Sequence, residues 1–445
     1  MATAPADRTA ARRPSRAEAE QAARRGWAEP PRVTLRREVS AAAAGAQSER
    51  DFFARLHQAG VVTRLRYSTI RSGEVTGYAV GLARHTARDG GIIWYGGGKL
   101  AADLSLPKLR ARWATPGGAG ASFAGEGLSA AAARAVLRKM VTGAADQARD
   151  EAGFFALLRD GGVLVRLRFS EISPGQVTGY AVSLPGHAGA GGEPLWHGGG
   201  RLAEGLTLPR LRRRWHPGRA GTAERSGAFR CTGPEREAIY AHAARQAEIA
   251  SEHIRRCAAG DPAQAADAAW AAADTLHAAA RALGNPALRR AADSYDRAAR
   301  AGYGRIPQPG SAGRQLRAAA RLMALTGASL GDGTTLAAIT LIASLIALAV
   351  AVAALRQTQQ HAAQAAAARA AAEHLHAFSG VGRHGRSFSQ ARAPGHRWPA
   401  TGAGVARADV PASARPGRPA PVAFGSPRPR PRGGPVPSRR AGPAR

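Results

Sequence analysis

The chain has 445 residues, 44% of them hydrophobic, which suits two or three domains with at least one packed core and excludes a fully disordered protein. Its 63 lysines and arginines face 31 carboxylates, and the net charge of +32 points to a polyanionic partner, nucleic acid ahead of acidic lipid. Two cysteines, Cys231 and Cys257, are too few for a Cys-rich zinc site or a disulfide framework, so the natural setting is a reducing cytosol. Arginine far outnumbers the three lysines (Lys99, Lys108, Lys139) in a chain rich in Ala, Gly and Pro, a skew that a GC-rich genome explains without phosphate recognition. The N-terminus has arginines but no apolar run behind them, unlike a secretory or twin-arginine signal. Residues 1–43 read as a basic, partly disordered segment.

An internal repeat organises the front half. FFARLHQAGVVTRLRYSTIRSGEVTGYAVGL, from Phe52 to Leu82, returns as FFALLRDGGVLVRLRFSEISPGQVTGYAVSL, from Phe154 to Leu184. The match runs on without a gap to Trp113 and Trp215, at a constant offset of 102 residues. Two copies of one small module follow, over 44–116 and 148–217, joined by a linker or helix over 117–147.

Each copy opens on a short helix, with the Phe pair and Leu56 (Leu158) at helical spacing before a glycine stop at Gly60 (Gly162). A strand follows in which Val61, Thr63, Leu65 and Tyr67 alternate with Val62, Arg64, Arg66 and Ser68. The second copy alternates Val163, Val165, Leu167 and Phe169 with Leu164, Arg166, Arg168 and Ser170. A turn at Gly73 (Gly175) leads to a second strand with Tyr78, Val80 and Leu82 on one face, completing a hairpin. Trp94 with Gly96–Gly98, and Trp196 with Gly198–Gly200, suggest a third strand broken by glycines. A last helix starts at Ser105 (Thr207), with Leu106, Leu109 and Trp113 in one stripe and Lys108 and Arg112 on another. The module is therefore α-β-β-β-α.

From Thr232 the chain turns into Ala-rich helix. Thr232 with Glu235, Asp261 before Pro262, and Asn285 before Pro286 mark three helix starts. Stripes at 3,4 spacing (Tyr240, Ala243, Ala247, Ala250, Ile254, Cys257; Ala266, Ala269, Ala273, Leu276, Ala280, Leu283; Leu288, Ala291, Tyr295, Ala298) predict narrow, closely packed seams in a bundle over 232–330. The fold class is α+β followed by all-α. A long apolar helix over 334–377 contains twenty uncharged residues, 336–355, enough to cross a bilayer or to fill a bundle core. The first option makes the protein cytoplasmic but anchored at the inner face of the membrane. From Arg356 onward 15 arginines face two carboxylates, a net of +13 mixed with Pro and Gly, so residues 378–445 read as a disordered tail.

Enzyme chemistry finds little support. GGGKL at Gly96–Leu100 lacks the glycine (Ile93 stands there) and the Ser or Thr (Leu100 stands there) of a phosphate loop, and a glycine bulge beside a packed Trp accounts for it better. His374 and His376 are two apart on a helix with no carboxylate pair nearby, so no metal site is expected. His85 and His187 recur in the module's most variable loop and read as surface residues without partners. The recurring cations Arg64, Arg66, Lys99, Lys108 and Arg112, with Arg166, Arg168, Arg201, Arg210 and Arg214, are the candidate nucleic-acid contacts. Tyr67, Phe169, Trp94 and Trp196 lie close to them in sequence, either as stacking partners for bases or, as is more usual, as core.

RPSRAEAEQAARRGW, the tandem modules with their VTGYAV and LPxLRxRW segments, PEREAIYAHAARQA and QQHAAQAAAARAAAEHLH together resemble the region downstream of the nuclease in relaxase/mobilisation proteins of high-GC Gram-positive plasmids and integrative elements. The resemblance spans about Arg12 to His376. It implies a role in conjugative DNA transfer, with DNA and a relaxase nuclease or other transfer protein as partners; the Ala-rich seams of the helical half suit either internal packing or homo-oligomerisation. That family's nuclease resembles an HUH-type endonuclease, with a histidine cluster holding a divalent metal and a nucleophile near the N-terminus. Neither carries over, since the first histidine is His57 and the first tyrosine is Tyr67, inside a repeat strand. The expectation is a non-catalytic accessory protein without cofactor. The alternatives are a membrane-tethered scaffold or coupling protein, and the C-terminal part of a relaxase whose nuclease lies upstream.

Overall fold

The computed structural model describes residues 14–87, 89–114, 125–215, 229–300, 305–327 and 335–384, all within one compact unit. Helix α1 (Arg16–Arg24) starts at a capping box: Ser15 Oγ accepts from the Glu18 amide at 3.2 Å, and the Glu18 carboxylate accepts from the Ser15 amide at 2.7 Å. Helix α2 (Pro31–Gly45) has proline in its first turn and buries Leu35, Val39, Ala42 and Ala43 in the core of the first repeat module. Within the segment expected to be partly disordered, residues 14–43 carry these two helices, and α2's apolar stripe supplies one wall of that module. Residues 1–13 lie outside the described residues.

The first module comprises α3 (Glu49–Gln58), β1 (Val61–Tyr67), β2 (Val75–Leu82), β3 (Tyr95–Gly96), the single turn α4 (Gly97–Leu100) and α5 (Leu106–Ala114). Helix α6 (Ala130–Gln147) follows, capped by Ser129. The second module repeats the order as α7 (Glu151–Asp160), β4 (Leu164–Phe169), β5 (Val177–Ser183), β6 (His197–Gly198), α8 (Gly199–Leu202) and α9 (Leu208–Trp215). Each sheet is an antiparallel meander, β1-β2-β3 and β4-β5-β6. Helices cover one face of each. There Tyr78 packs edge-on against Phe52 (ring centroids 5.4 Å apart), which also meets Trp113 at 5.7 Å; Tyr180, Phe154 and Trp215 repeat the cluster at 5.4 and 5.4 Å.

The helical half contains α10 (Gly233–Ala259), α11 (Ala266–Leu283), α12 (Pro286–Ala299), α13 (Ser311–Met323), α14 (Leu336–Thr358) and α15 (Ala362–His384). The stripe residues of α10 and α12 are buried as their spacing predicts. Helix α11 is not limited to a narrow seam: its residues from Asp267 to Ala280 are all buried, because α2, α12 and α13 pack around it. The single long helix expected over 334–377 is a hairpin instead. It breaks at Gln360, whose φ of +59° is left-handed, and His361 donates to the Arg356 carbonyl at 2.8 Å to close a Schellman-type turn. The break lets α15 fold back on α14, and the Arg356 and Gln364 side chains then reach the last carbonyls of α12, Ala298 at 2.9 Å and Arg300 at 2.7 Å. The second module shares one core with this bundle, whereas the first has its own. The expected disordered tail lies outside the described residues beyond His384.

Candidate nucleic-acid interface

The face of each sheet away from the helices carries the repeat's paired arginines. Arg64 stands opposite Ala79 and Arg66 opposite Gly77; Arg166 stands opposite Ala181 and Arg168 opposite Gly179. All four are exposed. The small partners leave room for a long side chain to lie across the neighbouring strand, and a Cβ built on Gly77 would come within 3.0 Å of Arg66 Nη2. Arg66 Nε donates to Thr76 Oγ1 at 3.3 Å, and the Thr76 hydroxyl donates to the Arg66 carbonyl at 3.1 Å; Arg168 and Thr178 repeat both bonds at the same distances.

Beside them, the Arg64 guanidinium sits 5.0 Å from the Trp94 ring centroid and that of Arg166 sits 4.8 Å from Trp196. These are cation–π pairs. Trp94 and Trp196 are therefore neither core residues nor bare platforms, since each half-buried ring supports an arginine. A guanidinium held against a ring keeps its charge and most of its donors while losing rotamer freedom before any ligand arrives, which favours contact with a phosphate. Tyr67 and Phe169, for which the sequence leaves a stacking or a core role open, are not core: they are 56% and 54% exposed at the ends of their strands.

Lys99 and Arg201 are exposed on the one-turn helices α4 and α8. Lys108 is half-buried, and the exposed Arg210 pairs with Glu204. Two candidates are corrected. Arg112 binds Asp274 of α11 at 2.6 Å, with each side chain 10% exposed, and lies 5.2 Å from the Trp270 ring centroid, so it joins the first module to the bundle. Its counterpart Arg214 pairs with Asp146 of α6. Their helix face meets neighbouring helices and not open solvent. Arg110 and Arg212, which the stripe pattern left aside, tie α5 to Glu49 and α9 to Glu151, each at 2.7 Å.

The glycine triplet is not a strand bulge: it ends the third strand and opens the one-turn helix α4. The third strand ends at Gly96, and Tyr78 reaches past Gly97 to donate its hydroxyl proton to the Leu104 carbonyl at 2.7 Å. A Cβ on Gly97 would stand 2.3 Å from that hydroxyl oxygen. Tyr180, Gly199 and Leu206 repeat the device, with the hydrogen bond at 2.6 Å. Nor are the repeat histidines free surface residues. His85 lies 4.4 Å from the Trp27 ring, and His187 is buried, stacked on His197 at 6.3 Å.

Sequence reasoning also missed a buried ionic network between α2, the turn after α4, α11 and α12. Asp296 accepts from His277 at 2.8 Å and from Arg300 at 3.2 Å, Arg300 reaches Asp103 at 3.1 Å, and Arg36 stands 3.5 Å from Asp296. Nearby, Arg317 grips Asp267 with two bonds of 2.8 Å. The only sequence signal was the presence of charges within Ala-rich stripes. His374 is half-buried and His376 exposed, separated by the buried Leu375; among the described residues no cluster of three metal-ligating side chains occurs. Comparison with family models, with curated proteins and with solved structures finds no match for this chain.

Proposed function

We propose that this protein is a non-catalytic, DNA-binding accessory protein of mobilisation type. Its tandem modules grip DNA through the open faces of their sheets, while the helical half assembles with a nuclease or other transfer protein, or with a second copy. The observation that carries the reading is the recurrence of one arrangement in both modules: an arginine stacked on a tryptophan, with a second exposed arginine two residues along the same strand. A net charge of +32 supplies the long-range attraction such an interface uses. The assignment to conjugative transfer rests on the sequence resemblance alone. The test replaces Arg64, Arg66, Arg166 and Arg168 together by alanine in the full chain and follows duplex affinity across a salt series. Every phosphate that the variant no longer neutralises should lower the log–log slope by about 0.9. Unchanged affinity and slope would remove these strands from the interface.

For α14 we favour a place in the bundle core over a membrane anchor. By length and composition it is long and apolar enough to span, yet more than half of its apolar stretch is buried. Three observations support the core role: Ser344 donates to Glu248 at 3.0 Å, Arg356 is buried against α12, and α10 and α15 pack along its length. Leu336 and Val350 are exposed apolar residues on it, at 81% and 52%. Recovery in the soluble fraction after detergent-free lysis is the expected result; release from membranes only by detergent would support the anchor.

A further inference from the structure

The two hairpin tips expose an isoleucine that the packing of the modules does not explain. Ile70 is 92% exposed and Ile172 is 93% exposed, each at the apex of a loop whose residues 69–74 and 171–176 all face solvent. Both loops are built identically. Ser68 Oγ accepts from the amides of Ile70 and Arg71 at 3.1 and 3.0 Å, and Ser170 Oγ accepts from those of Ile172 and Ser173 at 3.2 and 3.1 Å. Across the base of each loop, the Ser68 amide donates to the Glu74 carbonyl at 2.7 Å and the Ser170 amide to the Gln176 carbonyl at 2.8 Å. Gly73 and Gly175, at φ +78° and +82°, complete the turns in a region that favours glycine.

The two copies have diverged around these isoleucines. Thr69 faces Glu171 in the alignment of the copies, Arg71 faces Ser173, and Ser72 faces Pro174, while Ile70 and Ile172 are kept. Tyr67 became Phe169, so the ring was kept and the hydroxyl was not. An apolar side chain that stays at a solvated apex in both copies while its neighbours change is not held there by packing, and a contact made at the tip with an apolar surface would account for it. The exposed Arg66 and Arg168 lie close to the base of the two loops in a chain of net charge +32, so a partner that is both apolar and anionic fits the tips. Stacked bases flanked by phosphates meet both conditions.

We infer that Ile70 and Ile172 are wedge residues, each inserted between adjacent base pairs of duplex DNA from the minor groove by a rigid hairpin tip. This rests on the DNA-binding reading above and adds the form of DNA and the manner of contact. Isoleucine is among the side chains able to part a base step, and such insertion kinks a duplex by on the order of 20° or more. The ring of Tyr67 or Phe169 covers the opened step, and Arg66 or Arg168 meets the adjoining phosphate.

The experiment uses the full chain and a short duplex carrying a donor and an acceptor dye at its ends, followed by energy transfer, with a single strand of the same sequence as comparison. The unaltered protein should raise transfer on binding. The variant Ile70→Ser with Ile172→Ser should bind with the same salt slope and an affinity within about tenfold, since burying the side chain and unstacking the step offset one another, yet leave the duplex straight. Ile70→Val with Ile172→Val should restore the bend. Because both positions are almost fully exposed, the serine variants should unfold at the same temperature as the parent. A duplex that binds without bending, or bends equally with the serine variant, overturns the wedge and leaves the sheet-face reading intact. A tip dependence seen only with the single strand also overturns it, assigning the tips to unpaired bases. Failure of the unaltered chain to bind either DNA overturns both readings, and the tips would then be protein-docking elements.

Discussion

Replacing Arg112 by alanine should destabilise the protein, although in sequence the residue resembles its neighbours that face solvent. Its ion pair with Asp274 is 2.6 Å long, and each side chain is 10% exposed. Removing one partner of such a pair leaves the other buried without compensation, at a cost of about 3–5 kcal/mol. Arg321 also interacts electrostatically with Asp274 and takes over part of the neutralisation, which favours the lower end, about 3 kcal/mol. In a domain of this size that amounts to a fall of about 6 °C in the melting temperature. The repeat supplies an internal control. Arg214 occupies the equivalent position, but its partner Asp146 is 42% exposed, so Arg214→Ala should cost less than about 1 kcal/mol. Thermal unfolding followed by circular dichroism, with duplex DNA affinity measured on the same samples, separates the roles. A double-mutant cycle of Arg112→Ala with Asp274→Ala should show a coupling of about 2 kcal/mol. Equal, small thermal shifts for the two arginine variants, or a loss of DNA affinity by Arg112→Ala without a thermal shift, would refute the assignment of Arg112 to the junction.

Gly97→Ala should destabilise by several kcal/mol, since the new Cβ meets the Tyr78 hydroxyl oxygen at 2.3 Å and the Leu104 carbonyl at 2.4 Å, whereas Gly98→Ala meets only Ser105 Cβ at 3.5 Å and should change stability by less than about 1 kcal/mol; urea midpoints compare the two. Burial alone would lower the His277 pKa, but the carboxylates of Asp296, Asp293 and Asp274 outweigh it and hold the group above its ordinary value. Burial likewise opposes ionisation of Asp296, and Arg300 and His277 reverse this, holding it far below the usual carboxylate range. The stabilisation from His277 is therefore complete below about pH 6.5 and lost as pH rises through its raised folded value, while that from Asp296 is present above about pH 3.9 and lost as pH falls through its depressed one. Urea midpoints from pH 5 to 9 should decline on the alkaline side, and His277→Gln should flatten that decline; an unchanged slope in the variant would assign it to other groups.

The constant offset of 102 residues between the copies made the tandem modules and their α-β-β-β-α order legible, because a small domain's hydrophobic alternation and turn residues are local properties of the chain. The helix starts at Thr232 and Asn285, and the buried stripes of α10 and α12, were legible for the same reason: capping and helical periodicity act within one or two turns. The paired arginines of the strands could likewise be assigned to one face from alternation alone. What distinguishes Arg64 from Arg112 could not. Both are repeat-retained arginines near an aromatic residue, and only the packing of α5 against α11 puts Asp274 and Trp270 around one of them and leaves the other to Trp94 and solvent. The same holds for the glycine triplet, whose reason is a tyrosine hydroxyl from another strand, and for α14 and α15, whose break at Gln360 is stabilised by contacts with α12. Local sequence determines which conformations a segment favours and which of its faces are apolar. Whether a charge on the polar face is free or paired depends on which element arrives opposite it, and that is decided only when distant parts of the chain pack together.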